Sequence, residues 1–107
     1  MAFVARGLID QSKIKVGVQR AERALARDVL RILYSVTEDW LGEQSLFFRI
    51  VISDQASDPS RLRETTQRII AKISREIKAE ELGFQMYFNF RSKAEQAMLR
   101  DPAWERG

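Results

Sequence analysis

Residues 46–90 read LFFRIVISDQASDPSRLRETTQRIIAKISREIKAEELGFQMYFNF. This stretch opens with an apolar run that ends at Ser53, continues with charged residues around regularly spaced apolar ones, and closes with an alternating run at 84–90. Short runs of β-branched and aromatic residues are typical of strands, and apolar residues three and four positions apart are typical of a helix. The stretch therefore predicts a strand, a helix and a second strand. Strands joined through a helix run parallel to each other with a right-handed crossover.

The sequence also indicates where the helices begin and end. Asp58 followed by Pro59 is typical of a helix start, with the acid as the cap and the proline as the first helical residue. Glycine often follows the last residue of a helix, so Gly83 is predicted to mark the end of this one. Six residues at helical spacing are predicted to face the core: Leu62, Thr66, Ile69, Ile70, Ile73 and Ile77. Residues 92–95 read SKAE, a capping box, which predicts a short helix that runs to about Leu99.

An earlier helix is predicted from Ser12, with Asp10 or Ser12 as its cap. Its apolar stripe consists of Ile14, Val18, Ala21 and Leu25. Gly17 lies inside this helix and costs about 1 kcal/mol relative to alanine. We therefore expect an irregular first turn.

Residues 29–41 admit two interpretations, a continuing helix or a strand with a loop. Residues 29–37 are rich in β-branched and aromatic residues, which favours the strand. The polar segment 38–43 contains a glycine and precedes the strand at 46–53, so a hairpin is predicted. The strand at 46–53 is apolar on both faces except for Arg49, which predicts a central position in the sheet.

The predicted fold is a single small α+β domain over residues 1–107. The order is helix, strand, strand, helix, strand and short helix, with a three-stranded mixed sheet and the helices on one face. We expect residues 1–10 and 101–107 to be loosely ordered. The order of elements is similar to that of bacterial-type KH domains, which bind RNA, but the chain has no G-x-x-G loop of the kind that clamps RNA.

Composition limits the chemistry that the chain can perform. The 107 residues include no histidine and no cysteine, which excludes a histidine base, thiol catalysis, disulfides and thiolate metal sites. No apolar run approaches the roughly 18–20 residues that a membrane span needs, and the first residues do not read as a signal peptide. We therefore expect a cytoplasmic protein with no cofactor, no metal and no membrane contact.

The positive charge is concentrated in the first third of the chain. The net charge is +3, and residues 1–36 carry seven Lys or Arg against three acids. Four of these arginines, three or four positions apart, would line one face of a continuous helix and are candidate nucleic-acid contacts: Arg20, Arg23, Arg27 and Arg31. A second basic row is predicted on the later helix: Arg61, Arg68, Lys72 and Arg75.

A candidate anion site lies at one edge of the predicted sheet. Parallel strands would bring their carboxyl ends together with two helix starts, whose free N–H groups favour anions. The residues of this candidate site are Asp58, Arg61, Arg91, Ser92 and Lys93. The alternative is that Asp54 pairs with Arg91 while Asp58 and Ser92 cap their helices.

Three aromatic residues are candidate partner contacts, because tyrosine and tryptophan are frequent at the centres of interfaces. Trp40 lies in the predicted hairpin loop, Tyr87 on the polar face of the last strand, and Trp104 in the tail. The alternative for each tryptophan is local packing under its own loop.

The sequence favours a non-catalytic protein-interaction module, either a homodimer or the small partner of another protein, because a small sheet has open edges and no catalytic constellation is visible. The alternative is a nucleic-acid-binding domain that uses the arginine rows. A third hypothesis is an enzyme that acts on a phosphorylated substrate near Asp54 and Arg91.

Overall fold

The protein is described here from a computed structural model. The structure describes the backbone of residues 6–78, 83–100 and 104, and the side chains in these ranges from residue 12 onward. The elements follow in the order α1 (Arg6–Ala24), β1 (Val29–Glu38), β2 (Gln44–Ile52), α2 (Leu62–Ile77), β3 (Gln85–Ser92) and α3 (Lys93–Leu99). The predicted α+β class and order of elements are confirmed.

The three strands form one sheet in the order β1–β2–β3. β1 pairs antiparallel with β2 through the hairpin, with Tyr34 opposite Phe48. β2 pairs parallel with β3, with Phe48 beside Phe88. The mixed sheet, the hairpin and the central position of β2 are thus confirmed, and residues 29–41 do not continue the first helix.

The core lies between one face of the sheet and the two long helices. β2 contributes four residues to it, each at most 1% exposed: Leu46, Phe48, Ile50 and Ile52. α1 contributes its predicted stripe of Ile14, Val18, Ala21 and Leu25. α2 contributes Thr65, Ile69, Ile73 and Ile77. Each large aliphatic side chain in this cluster stabilises the fold by about 1.5–3 kcal/mol through burial.

α1 and α2 lie close together at Gly17. A Cβ atom at Gly17 would lie 2.7 Å from Cγ2 of Ile77 and 2.9 Å from the carbonyl oxygen of Glu76. α1 runs without interruption through Gly17 and begins at Arg6, so the predicted start at Ser12 and the irregular first turn were wrong. Packing against α2 outweighs the helix propensity that glycine forfeits.

The limits of α2 also differ from the prediction. Asp58 accepts hydrogen bonds from the backbone N–H of Ser60 (2.9 Å) and from its hydroxyl (2.7 Å), which closes a turn ahead of the helix. The regular helix therefore begins at Leu62 and not at Pro59. It ends at Ile77, because Lys78 adopts a left-handed conformation with φ 54° and donates its N–H back into the last turn. Gly83 does not end this helix.

The predicted inner stripe of α2 needs a correction as well. Thr65 is buried, whereas Leu62 is 38% exposed and Thr66 and Ile70 are half-buried. α2 turns its buried stripe toward β2 and α1, so the flank that carries Leu62, Thr66 and Ile70 is left on the outside of that contact.

The C-terminal elements follow the prediction closely. The hydroxyl of Ser92 accepts the N–H of Glu95 (3.1 Å), and the Glu95 carboxylate accepts the N–H of Ser92 (2.9 Å), which confirms the capping box. Residues 1–5, 101–103 and 105–107 lie outside the described residues, whereas residues 6–10 belong to α1. Loose order at the two ends of the chain stays a prediction.

Gly17→Ala should destabilise the fold, although alanine is the better helix former. The helix propensity gain of about 1 kcal/mol is outweighed by the displacement of Ile77 and of the α2 backbone, so we expect a net loss of about 1–2 kcal/mol in the free energy of unfolding. Urea unfolding followed by circular dichroism measures this. Gln67→Ala on the exposed face of α2 is the control and should stay within about 0.5 kcal/mol of the native chain. Equal or greater stability of the Gly17→Ala chain would contradict the close packing of the helices.

Candidate protein-interaction surface

The helices cover the inner face of the sheet unevenly. β2 and β3 lie side by side and present matching residues to this face. Phe48 and Ile50 on β2 are fully buried, whereas Phe88 and Phe90 beside them on β3 are only half-buried. The helix layer therefore covers the central strand β2 best. It leaves part of the apolar face of β3 in contact with water, as it does for Tyr34 and Val36 on β1.

This incomplete cover leaves a groove between the first turns of α2 and the inner face of β3, which we call the edge groove. Its volume is about 900 Å³, and the residues that matter for its chemistry are Pro59, Leu62, Arg63, Thr66, Phe88 and Phe90. The ring of Phe88 stacks on Phe48 at a centroid distance of 5.0 Å, so one side of the groove is fixed to the core. The groove is mainly apolar and lies beside the outer edge of the sheet.

The two edges of the sheet differ in how they are protected. On β1, the Glu22 carboxylate of α1 accepts the N–H of Ile32 at 2.8 Å, and the pairing register with β2 shifts between Val29 and Arg31. A side chain bound to the edge and an irregular register both hinder the addition of another strand. β1 is therefore a poor site for pairing with a second chain.

β3 has a bound side chain at its end, where the Glu95 carboxylate accepts the N–H of Ser92 at 2.9 Å, but its pairing register is regular. It pairs with β2 over its whole length, residues 85–92, without a register shift, and Arg91 is its one charged residue. It contains no proline, and within the described ranges β2 is its one neighbouring strand. A straight, nearly uncharged edge of this kind is a template for pairing with another chain.

The hairpin loop is bound to β3 through Asp39. Oδ1 of this buried carboxylate accepts the N–H groups of Leu41 and Glu43, both at 2.9 Å, and Oδ2 accepts the hydroxyls of Ser45 (3.2 Å) and Tyr87 (3.0 Å). The hydrogen bond from the Glu43 N–H is the main reason that the pKa of Asp39 lies below its ordinary value. Partial burial, followed by the hydrogen bond to Asp39, raises the pKa of Tyr87.

Two of the three predicted partner contacts lie together at this end of β3. The ring of Tyr87 stacks on Phe47 at 4.9 Å and contacts Trp40 at 5.1 Å. Trp40 is nevertheless 74% exposed, and Leu41 beside it is 72% exposed. The hairpin thus presents an exposed aromatic and aliphatic tip next to the open edge.

Trp104, the third predicted partner contact, lies at the opposite end of the outer face. Its ring packs under the guanidinium of Arg91 at 4.3 Å, and its carbonyl oxygen accepts a hydrogen bond from Arg31. At 6% exposure its side chain is buried against β3, and its role as a partner contact stays a prediction.

The fold brings the residues of the candidate anion site partly together. N–H groups at the start of α3 are already bound by oxygen atoms of the protein. The N–H of Ala94 donates to Asp54 at 3.0 Å, in addition to the capping box between Ser92 and Glu95. Arg61 lies 3.9 Å from the buried Asp28, and Arg91 donates to Gln96. Lys93 opens α3 on the exposed surface. The cap at Ser92 agrees with the alternative interpretation, whereas Asp58 closes a turn ahead of α2 and does not cap this helix. Anion binding by this edge stays a prediction.

The basic rows are divided by the fold. Arg20 and Arg23 lie on α1, which ends at Ala24, while Arg27 lies in the following turn and Arg31 on β1. These four arginines therefore do not share the single helical face that a continuous helix would give.

On α2, the second basic row lies next to acids. Arg61 and Arg68 both pair with the buried Asp28, and Lys72 pairs with Glu76 at 3.0 Å. The pairing with Lys72 is the main reason that the pKa of Glu76 is lowered. The Asp28 cluster is not evident from the sequence, because Arg61 and Arg68 are distant from Asp28 in the chain.

The described residues hold neither a candidate metal site nor a helix that could span a membrane. No three His, Cys, Asp or Glu side chains in this part of the chain are grouped as they would be around a metal ion. No helix in the same part is long and apolar enough to cross a membrane.

The sequence does not predict the edge groove, because the alternation at 84–90 and the helical stripe that contains Leu62 are both typical of buried positions. A signal was nevertheless present in the sequence. The apolar stripe of α2 is broad, since Leu62, Thr66 and Ile70 extend it beyond the residues that pack on β2. A stripe wider than one contact surface indicates a second apolar contact.

The chain matches no family model, and comparison with curated proteins and with solved structures yields no match. These comparisons therefore give no information on the function of the chain.

Asp39→Asn should make the stability of the fold less dependent on pH in the acidic range. The folded-state pKa of Asp39 lies below that of the unfolded chain, so its ionised form stabilises the fold above about pH 4, and this contribution is lost as the pH falls through the folded-state pKa. Urea midpoints measured between about pH 3 and pH 6 should therefore fall less for the variant than for the native chain.

Tyr87→Phe is the matched comparison, because it keeps the backbone hydrogen bonds that dominate the pKa of Asp39. It should retain most of the acid dependence of the native chain. An Asp39→Asn chain with the same acid dependence as the native chain would contradict the role assigned to this carboxylate.

Proposed function

We propose that this chain is a non-catalytic protein-interaction module that binds its partner through β3. The observation that carries the proposal is the coincidence of an unprotected strand edge with an apolar groove directly beside it. In such a contact, backbone hydrogen bonds along the strand supply affinity, and pockets for alternate side chains supply selectivity.

The apolar residues of this surface support the proposal. Leu62 is 38% exposed, although it sits where the helix meets the sheet, and Phe88 and Phe90 are half-buried on a strand whose neighbour is fully covered. Exposed apolar patches rimmed by polar residues are typical of protein-binding sites. The exposed Trp40 at the hairpin tip adds an aromatic side chain of the type that dominates interface energies.

The nucleic-acid alternative has less support. Its affinity would come from a row of cations that meets successive phosphates. The arginines at 20, 23, 27 and 31 are distributed over α1, a turn and β1, and two cations of the α2 row flank the buried Asp28. We therefore favour a protein partner.

Site-specific photocrosslinking in the cells that make the protein tests the proposal. A photoreactive phenylalanine analogue replaces Asn89, which is exposed on β3, or Gln19, which is exposed on α1 and serves as the control. We expect protein adducts from position 89 in at least about fivefold excess over position 19, because a strand-edge contact brings the partner within side-chain reach.

Leu62→Glu in the edge groove should reduce the yield of adduct from position 89, because it places a charge where apolar surface would be buried. Leu99→Glu on α3, an exposed leucine away from the groove, is the matched control. Adducts of equal yield from positions 89 and 19, or none from position 89, would contradict the proposal.

A further inference from the structure

We propose that the partner at β3 is a second copy of this chain. The two β3 strands pair antiparallel about a twofold axis that passes through Phe88 perpendicular to the sheet. This inference rests on the proposed function and names its partner. The product is a continuous six-stranded sheet with the helices of both copies on the same side.

The register follows from the alternation of side chains along a strand. An axis through a residue pairs inner-face residues with inner-face residues, whereas an axis between residues would join the inner face of one copy to the outer face of the other. An axis at Phe88 sets Met86 opposite Phe90 of the second copy, and Phe88 opposite its own counterpart. An axis at Asn89 would instead set Met86 opposite Ser92. The first choice brings together more apolar surface in the two edge grooves.

The charges on β3 are compatible with this self-pairing. The axis at Phe88 sets Tyr87 opposite Asn89 and Gln85 opposite Arg91 of the second copy. Since Arg91 is the single charged residue on β3, no like charges face each other across the seam. Directly opposed like charges destabilise a strand pair, so an edge with one charge placed off-centre is suited to pairing with itself.

The two edges of the sheet are not equivalent, and the dimer uses the open one. At β1, an incoming strand would have to displace the Glu22 carboxylate from the Ile32 N–H and would meet the shifted register beside Val29. Pairing through β3 alone closes the assembly at two copies, because the outer edges of the six-stranded sheet are then the two protected β1 strands.

The size of the surface indicates a moderate affinity. Eight residues of strand are about 27 Å long, and one packed layer beside the sheet adds about 10 Å of height, so each copy contributes on the order of 300 Å² before surface relief is counted. Stable interfaces bury about 800 Å² per partner. We therefore expect dissociation constants in the micromolar range and a mixture of monomer and dimer in dilute solution.

The test is the dissociation constant of the purified chain from sedimentation equilibrium, between about 1 µM and 1 mM. The native chain should change from monomer toward dimer across this range. Gln85→Lys sets a lysine opposite Arg91 of the second copy and should weaken the dimer about five- to tenfold, whereas Gln85→Glu should tighten it about twofold or more. Both effects should shrink at high salt.

Gln67→Lys and Gln67→Glu are matched controls, because they make the same changes at an exposed position on the outer surface of α2. They should leave the dissociation constant within about twofold of the native value. Circular dichroism and thermal unfolding of each variant verify that Gln85, exposed in β3, tolerates the substitutions.

Three results would overturn the inference. A monomer at every concentration would exclude the dimer. A dimer whose dissociation constant is unchanged by the charge at position 85, or changes equally with the charge at position 67, would place the interface elsewhere. If the chain is monomeric while position 89 still crosslinks to another protein, the proposed function stands and this inference fails. If both the dimer and the adducts are absent, both fail.

Discussion

The fold depends on one constraint, which is that two helices bury the apolar face of a three-stranded sheet and cover the central strand better than the two outer ones. α1 lies against β1 and α2 and extends to the outer edge of β1, where Glu22 binds the strand backbone. α2 completes the cover of β2. The apolar side chains of β3 are consequently half-buried, although they belong to the same face as the fully buried residues of β2.

The outer face is organised by a different kind of interaction. Asp39 gathers two backbone N–H groups and two hydroxyls, and in doing so joins the hairpin loop to Tyr87 on β3. A buried carboxylate with four donors is satisfied without a cationic partner. The loop therefore lies against the strand that has the open edge, and the exposed Trp40 is held close to it. The residues that hold the loop in place therefore also belong to the proposed interaction surface.

Much of the fold was predictable from local signals. The apolar run at β2, the alternation at β3 and the capping box at Ser92 each specify an element by themselves, and the parallel crossover follows from chain connectivity. The limits of α2 were not predictable in this way, because Asp58 caps a turn ahead of the helix and Lys78 ends the helix in a left-handed conformation. The edge groove was missed for a related reason. Whether Phe88 is buried by a helix or left half-open depends on where α1 and α2 sit, and hydrophobic periodicity does not carry that information.

The central claim is that the outer edge of β3 is unpaired in the single chain and is paired in the assembled protein. Amide hydrogen exchange along residues 85–92, measured at low and at high chain concentration, tests it most directly. Alternate amides of an edge strand point away from its neighbour. The account predicts that alternate β3 amides exchange rapidly at low concentration and become protected at high concentration, apart from Ser92, whose N–H is bound by Glu95 in the single chain. Protection of every β3 amide at low concentration, or rapid exchange of the same alternate amides at both concentrations, would contradict it.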